Sequence, residues 1–588
     1  MKTFPHQLFA TLGAAGILNL YSPAITSAQA QSRNLADWSW VSRLGSTELP
    51  GPNNPQFPPS VGHPESLAAD AAGNVVIAGV YNPDVIFGSP TIRYQTTNGP
   101  LGPLDNSYVA KYNPAGSLLW SLNLTSNGDV HVRDLAVDGM GNIYVLGAYY
   151  QQLRVDATVA ALGNTSTPHF LAKVSPAGAL LWATTIEPDA PATNTSLNLQ
   201  RLAVDARGNS VVQGQFRGQV VVNGASFTGN TSKLHALVMR YNSAGTPIAA
   251  FAGYTMAGGD IDRAFTAVAL ASTGEVYLGG YLGPASTLQF GGLPLLTGPV
   301  TGNASGFVVK YGATGASWAT KTTGPGSQSI DDLTMGPQNH CYVSGALTAA
   351  TMGLGALSLN TNNPDGTASK DVFLARMAAD GTVEQLVGGG RTSIIRGLVV
   401  NAQGEATIAT AGGLDWGNVR LPGAAWPTSA NAGLVRLDAT GIPQRGWQAG
   451  APFITTALAV DGLNQAILAG TYNGSNSLVF GTRQLNVPYV FNTVIARTSN
   501  TLLAARQQAQ VTGLEVYPNP ARQMVEVRTA TAGPVRVQVL DAVGRLVRSQ
   551  LLATGQTQVA LGDLAPSCYT LLVQQGEARS YRRLTIAP

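Results

Sequence analysis

One fifteen-residue pattern recurs seven times and constrains the fold more than any other feature. It reads LAADAAGNVVIAGVY from Leu67, LAVDGMGNIYVLGAY from Leu135, LAVDARGNSVVQGQF from Leu202 and VALASTGEVYLGGYL from Val268. It continues as LTMGPQNHCYVSGAL from Leu333, LVVNAQGEATIATAG from Leu398 and LAVDGLNQAILAGTY from Leu458. The starts are spaced by 68, 67, 66, 65, 65 and 60 residues, which is the signature of a repeat architecture.

Each copy has the grammar of a β-hairpin: a short apolar strand, a polar turn, then an alternating strand ending in Gly. Asp70, Asp138, Asp205 and Asp461 are placed to accept a backbone N–H two residues on. Gly73, Gly141, Gly208, Gly274 and Gly404 supply the positive φ that the turn requires. Asn339 and Asn464 take that position in copies five and seven, as the side chain that best tolerates a left-handed backbone after Gly.

A second hairpin trails the first by about forty residues, as in YVAKYNPAGSLLW from Tyr108 and FVVKYGATGASW from Phe307. In it a basic residue precedes a turn Gly by five, as Lys111 precedes Gly116 and Arg376 precedes Gly381. These basic side chains are expected to snorkel to the surface. Trp120, Trp182 and Trp318 follow on the next strand, where a large ring covers the gap between sheets. Aromatic-Gly pairs such as Phe290-Gly291 and Phe480-Gly481 lie between the hairpins and mark an extra hairpin.

Copy seven stops after Arg497, without its turn Gly and Trp strand, whereas DWSWVSRLG (37–45) stands ahead of copy one with the character of that missing strand. A ring closed by its own N-terminal strand explains both facts, because radial closure removes exposed sheet edges. A linear solenoid, the main competitor, gives no reason for the split unit. The fold expected is therefore all-β: a seven-bladed β-propeller over 31–503, closed by the strand 37–45. These residues resemble a bacterial β-propeller repeat family with a D-x-x-G-N turn and a later (F/Y)-V-A-K segment before Trp. That resemblance implies an extracellular binding or scaffolding role.

Residues 1–30 read as a signal peptide: Lys2, an apolar stretch of about 13 residues from Leu8 to Leu20, and the small-x-small site Ala28-Gln29-Ala30. The stretch is short for a membrane anchor, and no transmembrane span is expected in the mature chain. Residues 504–512 read as a polar linker. The segment 513–588 alternates like six or seven short strands, as in a small Ig-like sandwich. It is similar to the type A C-terminal sorting domain of the type IX secretion system. The likeness rests on Tyr517-Pro518-Asn519-Pro520, the hairpin from Leu540 through Asp541, Gly544 and Arg545, the Leu564 to Tyr569 segment, and the terminal strand with Leu584. One departure is Ser567-Cys568 before Tyr569, where the family places Gly. The resemblance implies passage through the type IX machinery, a location that is secreted or at the outer-membrane surface, and cleavage near Gln507 to Gly513. An ordinary Ig-like adhesive module is the alternative.

Chemistry is sparse. Net charge is +3, falling to +2 without Lys2, and the excess lies in the last 76 residues, so nothing points to nucleic acid. Cys341 and Cys568 read as isolated thiols. His63, His131, His169, His235 and His340 lack the spacing of a helical zinc site, there is no G-x-S-x-G elbow, and Gly388-Gly389-Gly390 reads as a turn. Asp260, Asp262, Asp331 and Asp332 offer loop oxygens to calcium, but a dedicated loop alternates several acids, so turn stabilisation is the expectation. No catalytic residue, cofactor or metal is assigned. The expected function is non-enzymatic binding of a surface glycan, polymer or protein. The alternative is a secreted hydrolase or lyase using Asp260, Asp262 or Asp331 in the funnel.

Overall fold

The computed structural model describes residues 36–44, 63–82, 84–87, 92–95, 98–99, 102–163, 168–188, 195–257, 265–300, 302–361, 370–390, 394–421, 432–450, 453–473, 476–487, 491–502, 511–541, 546–576 and 578–587. The expected signal peptide, Asp260, Asp262, Gly544, Arg545 and most of the linker lie outside them. The described chain is all-β and propeller-like.

Seven antiparallel four-stranded units recur among the described residues. The first runs His63–Ala69, Val75–Tyr81, Asn106–Tyr112 and Leu118–Thr125, from the axis outward. The Lys111 strand is third and the Trp120 strand fourth. In the seventh unit Phe453–Val460, Ala466–Asn473 and Phe491–Leu502 are followed by the N-terminal strand Ala36–Leu44, with Trp40 opposite Arg497 and Leu44 opposite Thr493. The segment expected to complete the last sheet pairs there.

The innermost strands pack side by side in sequence order, and Phe453–Val460 returns to His63–Ala69. Between adjacent units lie separate apolar cores. One joins units one and two through Val76, Val109, Val145 and Phe170. Another joins seven to one through Ile467, Ile495, Ile77 and Tyr108. Second strands buried on both faces, such as Val75–Tyr81, make near-continuous apolar runs the natural choice. In three places the extra hairpin strand also pairs with the outer strand of the preceding unit, as Val155 does with Leu124.

Every inner strand carries a β-bulge at the same height, between Pro64 and Ser66, Val132 and Asp134, Leu199 and Arg201, Phe265 and Ala267, Ile330 and Asp332, Ile395 and Gly397, and Thr455 and Ala457. A bulge leaves an amide outside the ladder, which must find another acceptor.

The C-terminal segment forms a three-stranded and a four-stranded sheet around one core containing Val525, Val537, Leu571 and Leu584. Val511 is already buried in that core and donates its N–H to the Ser580 hydroxyl at 2.9 Å.

Candidate functional site

Where the inner strands converge they enclose an axial cavity of about 350 Å³, lined from all seven units by residues including Glu65, Asp134, Arg201, Asp332, Arg396 and Thr456. Asp331 is also on the wall. The polar groups here stitch one unit to the next. The Ser66 hydroxyl donates to Asp134 Oδ1 at 2.7 Å, and the Leu202 N–H donates to Asp134 Oδ2 at 2.9 Å. Arg201 Nε donates to the Thr266 carbonyl at 3.0 Å, and the Thr266 hydroxyl to the Ile330 carbonyl at 2.6 Å. The Leu398 N–H donates to Asp332 Oδ2 at 2.8 Å. This belt crosses every junction from unit one to unit six, and its N–H donors from Leu202 and Leu398 follow the bulges. Burial raises the Asp134 carboxyl above its usual range despite Arg201 and its three hydrogen bonds. Asp332 rises to about 6 for the same reason, with the charge of Asp134 adding to it. Burial also raises Asp331.

At the opposite end of each inner strand lies the tight turn. Asp70 Oδ1 accepts the N–H groups of Ala72 at 3.1 Å and Asn74 at 2.9 Å, and Asp138, Asp205 and Asp461 make the same pair of contacts. Gly73, Gly141, Gly208, Gly274 and Gly404 have φ between +78° and +94°, and Asn339 and Asn464 have φ of +58° and +60°.

The basic residues depart from the surface reading. Lys111 is buried, with Nζ 3.0 Å from Asp70, and Lys173 pairs with Asp138 at 3.5 Å and Arg497 with Asp461 at 2.7 Å. A turn carboxylate in reach replaces solvation, and a Trp lid covers the turn Gly that follows Lys111 and Lys173. Burial alone would raise Asp70, but Asn74 and Lys111 outweigh it and hold the carboxyl below its usual range. Each lid belongs to the preceding unit: a Cβ at Gly178 would meet the Trp120 ring at 3.0 Å, and Gly245 and Gly381 face Trp182 and Trp318 in the same way.

In units four and five, where the turn acid is missing, another acid takes over. Ala271 replaces it in unit four, and Lys310 pairs with Glu275 at 3.3 Å instead. In unit five the position is Gly336, and Arg376 Nε reaches Glu384 on the outer strand at 3.0 Å. His340 Nε2 stands 3.1 Å from the same carboxylate oxygen. No repeat marks Glu384, because its position carries no acid in the other units.

Among the described residues no three His, Cys, Asp or Glu side chains converge as a metal site. Burial pushes the Cys341 thiol up, and lowers His169, whose Nε2 accepts the Leu199 N–H, to about 4.

In the C-terminal segment, Tyr517 ends the first strand and Asn519 locks it to the last. Asn519 Nδ2 donates to the Arg583 carbonyl at 2.7 Å, and its Oδ1 accepts the Thr585 N–H at 2.9 Å. The Tyr517-Pro518 and Asn519-Pro520 bonds are cis. Tyr569 donates to the Ala565 carbonyl at 2.9 Å, Leu584 is fully buried, Leu564 packs against the core, and Asp541 follows the strand Val535–Leu540. Residues 515–587 match the secretion system C-terminal sorting domain family. The chain carries a type IX sorting domain. That domain implies dealings with the type IX machinery, secretion and attachment at the cell surface. No helix among the described residues is long and apolar enough to cross a membrane.

The rest of the chain has more distant similarities. A protein of unknown function from Bacteroides caccae is 11% identical, covering 60% of this chain and 94% of that one, with a TM-score of 0.30. The extracellular domain of a putative one component system from B. thetaiotaomicron is 9% identical over 89% and 80%, at 0.20. A catalytically inactive virginiamycin B lyase from Staphylococcus aureus is 9% identical over 77% and 98%, at 0.32. An uncharacterized WD repeat-containing protein of Acanthamoeba polyphaga mimivirus is 28% identical over 131 residues, 20% of this chain and 9% of that protein's length.

Proposed function

We propose that the sorting-domain chain is a cell-surface binding scaffold: a non-enzymatic seven-bladed β-propeller that holds a surface glycan, polymer or protein, exported by an Ig-like C-terminal sandwich. The observation that carries this reading is the state of the axial carboxylates. Asp134 and Asp332 each accept backbone N–H groups on both oxygens, so they act as rivets between blades. A general acid or base must instead reach substrate with a free oxygen. The tight turns and the inter-blade cores likewise favour a rigid platform over a moving site.

The test is to array the purified secreted protein against polysaccharides and surface proteins of its own cell envelope, with parallel hydrolase and lyase assays on the same polysaccharides. Saturable binding without turnover is the expected result. Turnover that survives repurification and is lost in Asp331→Asn would overturn it.

A hydrolase or lyase is the second reading, favoured by one observation: Asp331 and Asp332, adjacent on one strand at the axial cavity, are both raised by burial, Asp332 to about 6. A carboxylic acid near neutrality suits proton donation.

A further inference from the structure

The fifth unit breaks the repeat at its inner turn. The other six turns place one residue with positive φ at the Gly or Asn position, as Gly73 and Asn464 do. In unit five, Gly336-Pro337-Gln338-Asn339-His340 forms a short 3-10 turn in which Gln338 and Asn339 are both left-handed, at φ +57° and +58°. A side-chain-bearing residue in that region is held there only where its surroundings enforce it, and such positions concentrate at functional sites.

Two cavities flank this turn. One, about 400 Å³, lies toward units three and four and is lined by Asp205, Ser272, Met335 and Gln338. The other, about 460 Å³, lies toward unit six and is lined by Gln338, His340, Arg376, Glu384 and Gln403. Gln338 borders both, so the turn is a ridge between two open depressions. The Ser272 hydroxyl, donating to Asn339 Oδ1 at 2.8 Å, braces the ridge from unit four.

The chemistry of the larger depression is mixed and self-compensated. Arg376, on the wall of the depression, spends Nε on Glu384 and Nη1 on the Ala439 carbonyl at 3.0 Å. Arg376 and His340 both meet Oε2 of Glu384, leaving Oε1. The side chains of Gln338 and Gln403 are exposed, and each offers a donor and an acceptor. Donors and acceptors thus alternate without a net field, as vicinal hydroxyls require and a charged ligand does not. A peptide would need apolar anchors or a free sheet edge, and apart from Tyr342, which is almost wholly buried, the apolar lining here is Pro337, Ala402 and Ala439.

We infer that the fifth-unit ridge, with Gln338, Arg376, Glu384 and Gln403, is a binding site for a neutral oligosaccharide laid across the two depressions. The inference rests on the scaffold reading and assigns its ligand class and its face, the tight-turn end rather than the bulged end of the axial cavity.

The experiment uses the full secreted protein and calorimetric titration with cellohexaose, xylohexaose, chitohexaose and mannohexaose, each to ~10 mM, with polygalacturonate as a charged comparator. The variants are Gln338→Gly, which suits the backbone at that φ, Gln403→Ala on an exposed turn, and Glu65→Gln at the axial cavity. At least one neutral hexamer should bind, each glutamine variant should weaken it about fivefold by removing hydrogen bonds, and neither should lower the melting temperature. Binding that ignores both glutamine variants, or that occurs with polygalacturonate alone, overturns the site. If Glu65→Gln alone abolishes binding, the ligand sits in the axial cavity and the scaffold reading stands. If no hexamer binds, the saccharide assignment is wrong, while the envelope array decides the scaffold reading separately.

Discussion

Trp40 donates its indole N–H to the carbonyl of Pro114 at 2.8 Å, and its ring lies over Gly116 where a Cβ would be 3.0 Å away. The same relation joins Trp120 to Pro176 and Gly178 one unit further on. The N-terminal strand therefore completes the seventh unit and also clamps the first, as the outer strands bearing Trp120, Trp182 and Trp318 clamp their successors. Trp40→Ala should cost about 2–3 kcal/mol through lost packing and one hydrogen bond, whereas Trp40→Phe should cost about 1 kcal/mol. Denaturant unfolding measures both. Hydrogen exchange should quicken first along Val494 and Ile495, which pair with this strand; exchange that stays uniform would argue that closure is carried elsewhere.

The Lys111 to Asp70 pair is buried, so removing one partner strands the other. Lys111→Met should destabilise by about 3 kcal/mol. Adding Asp70→Asn should recover much of it, since Asn401 serves at the same turn position in unit six with the same backbone contacts. A double-mutant cycle reports the coupling; additive effects would mean that Lys111 and Asp70 do not act as a pair.

Much of this architecture was legible because its causes are local. The turn residues act within five positions of one another, so Asp70 with Gly73 or Asp461 with Asn464 announce themselves in a linear string. Trp38 and Trp40 were legible because a strand was missing at the other end. What could not be read were relations set by the ring itself. The bulges offset the pairing only in three dimensions, so the Asp134 and Asp332 bridges were invisible, and these residues looked like loose oxygens or nothing at all. Glu384 answers Arg376 from an adjacent strand at a position that no repeat marks. The expectation of solvated lysines failed for the same reason, because the carboxylate that Lys111 meets, Asp70, stands on a turn far from it in the sequence.

The sorting domain gives a prediction about location. Asn519 ties the Tyr517 strand to the last strand through both of its amide atoms, so Asn519→Ala leaves the Thr585 N–H without its acceptor and loosens the N-terminal edge. A cost of about 1–2 kcal/mol is expected. Removing 511–588 altogether should leave the propeller-like part folded but held inside the outer membrane. Fractionation with a surface protease reads this out; a truncated chain that still reaches the surface would show that export does not depend on the domain.

The axial belt gives a prediction about pH. Burial raises Asp332 from 3.8 to about 6, so between those values the folded state holds a proton that the unfolded chain has released. Its contribution is therefore unfavourable above about pH 6, and the stability it withholds returns as the pH falls toward 4. His169 runs the other way across an overlapping window, because burial lowers it from 6.5 to about 4 and protonation favours the unfolded chain. A bulk melting curve sums the two and can be flat. Site-resolved carboxyl titration by NMR separates them: the Asp332 carbon should titrate near pH 6, and Arg201→Gln, which removes a favourable charge, should move it higher still. In Asp332→Ala the remaining slope should show stability falling as pH drops from 6.5 toward 4. A midpoint for Asp332 near 4 would mean that water in the axial cavity, rather than the wall, sets its environment, and the reading of the belt as a desolvated rivet would fail.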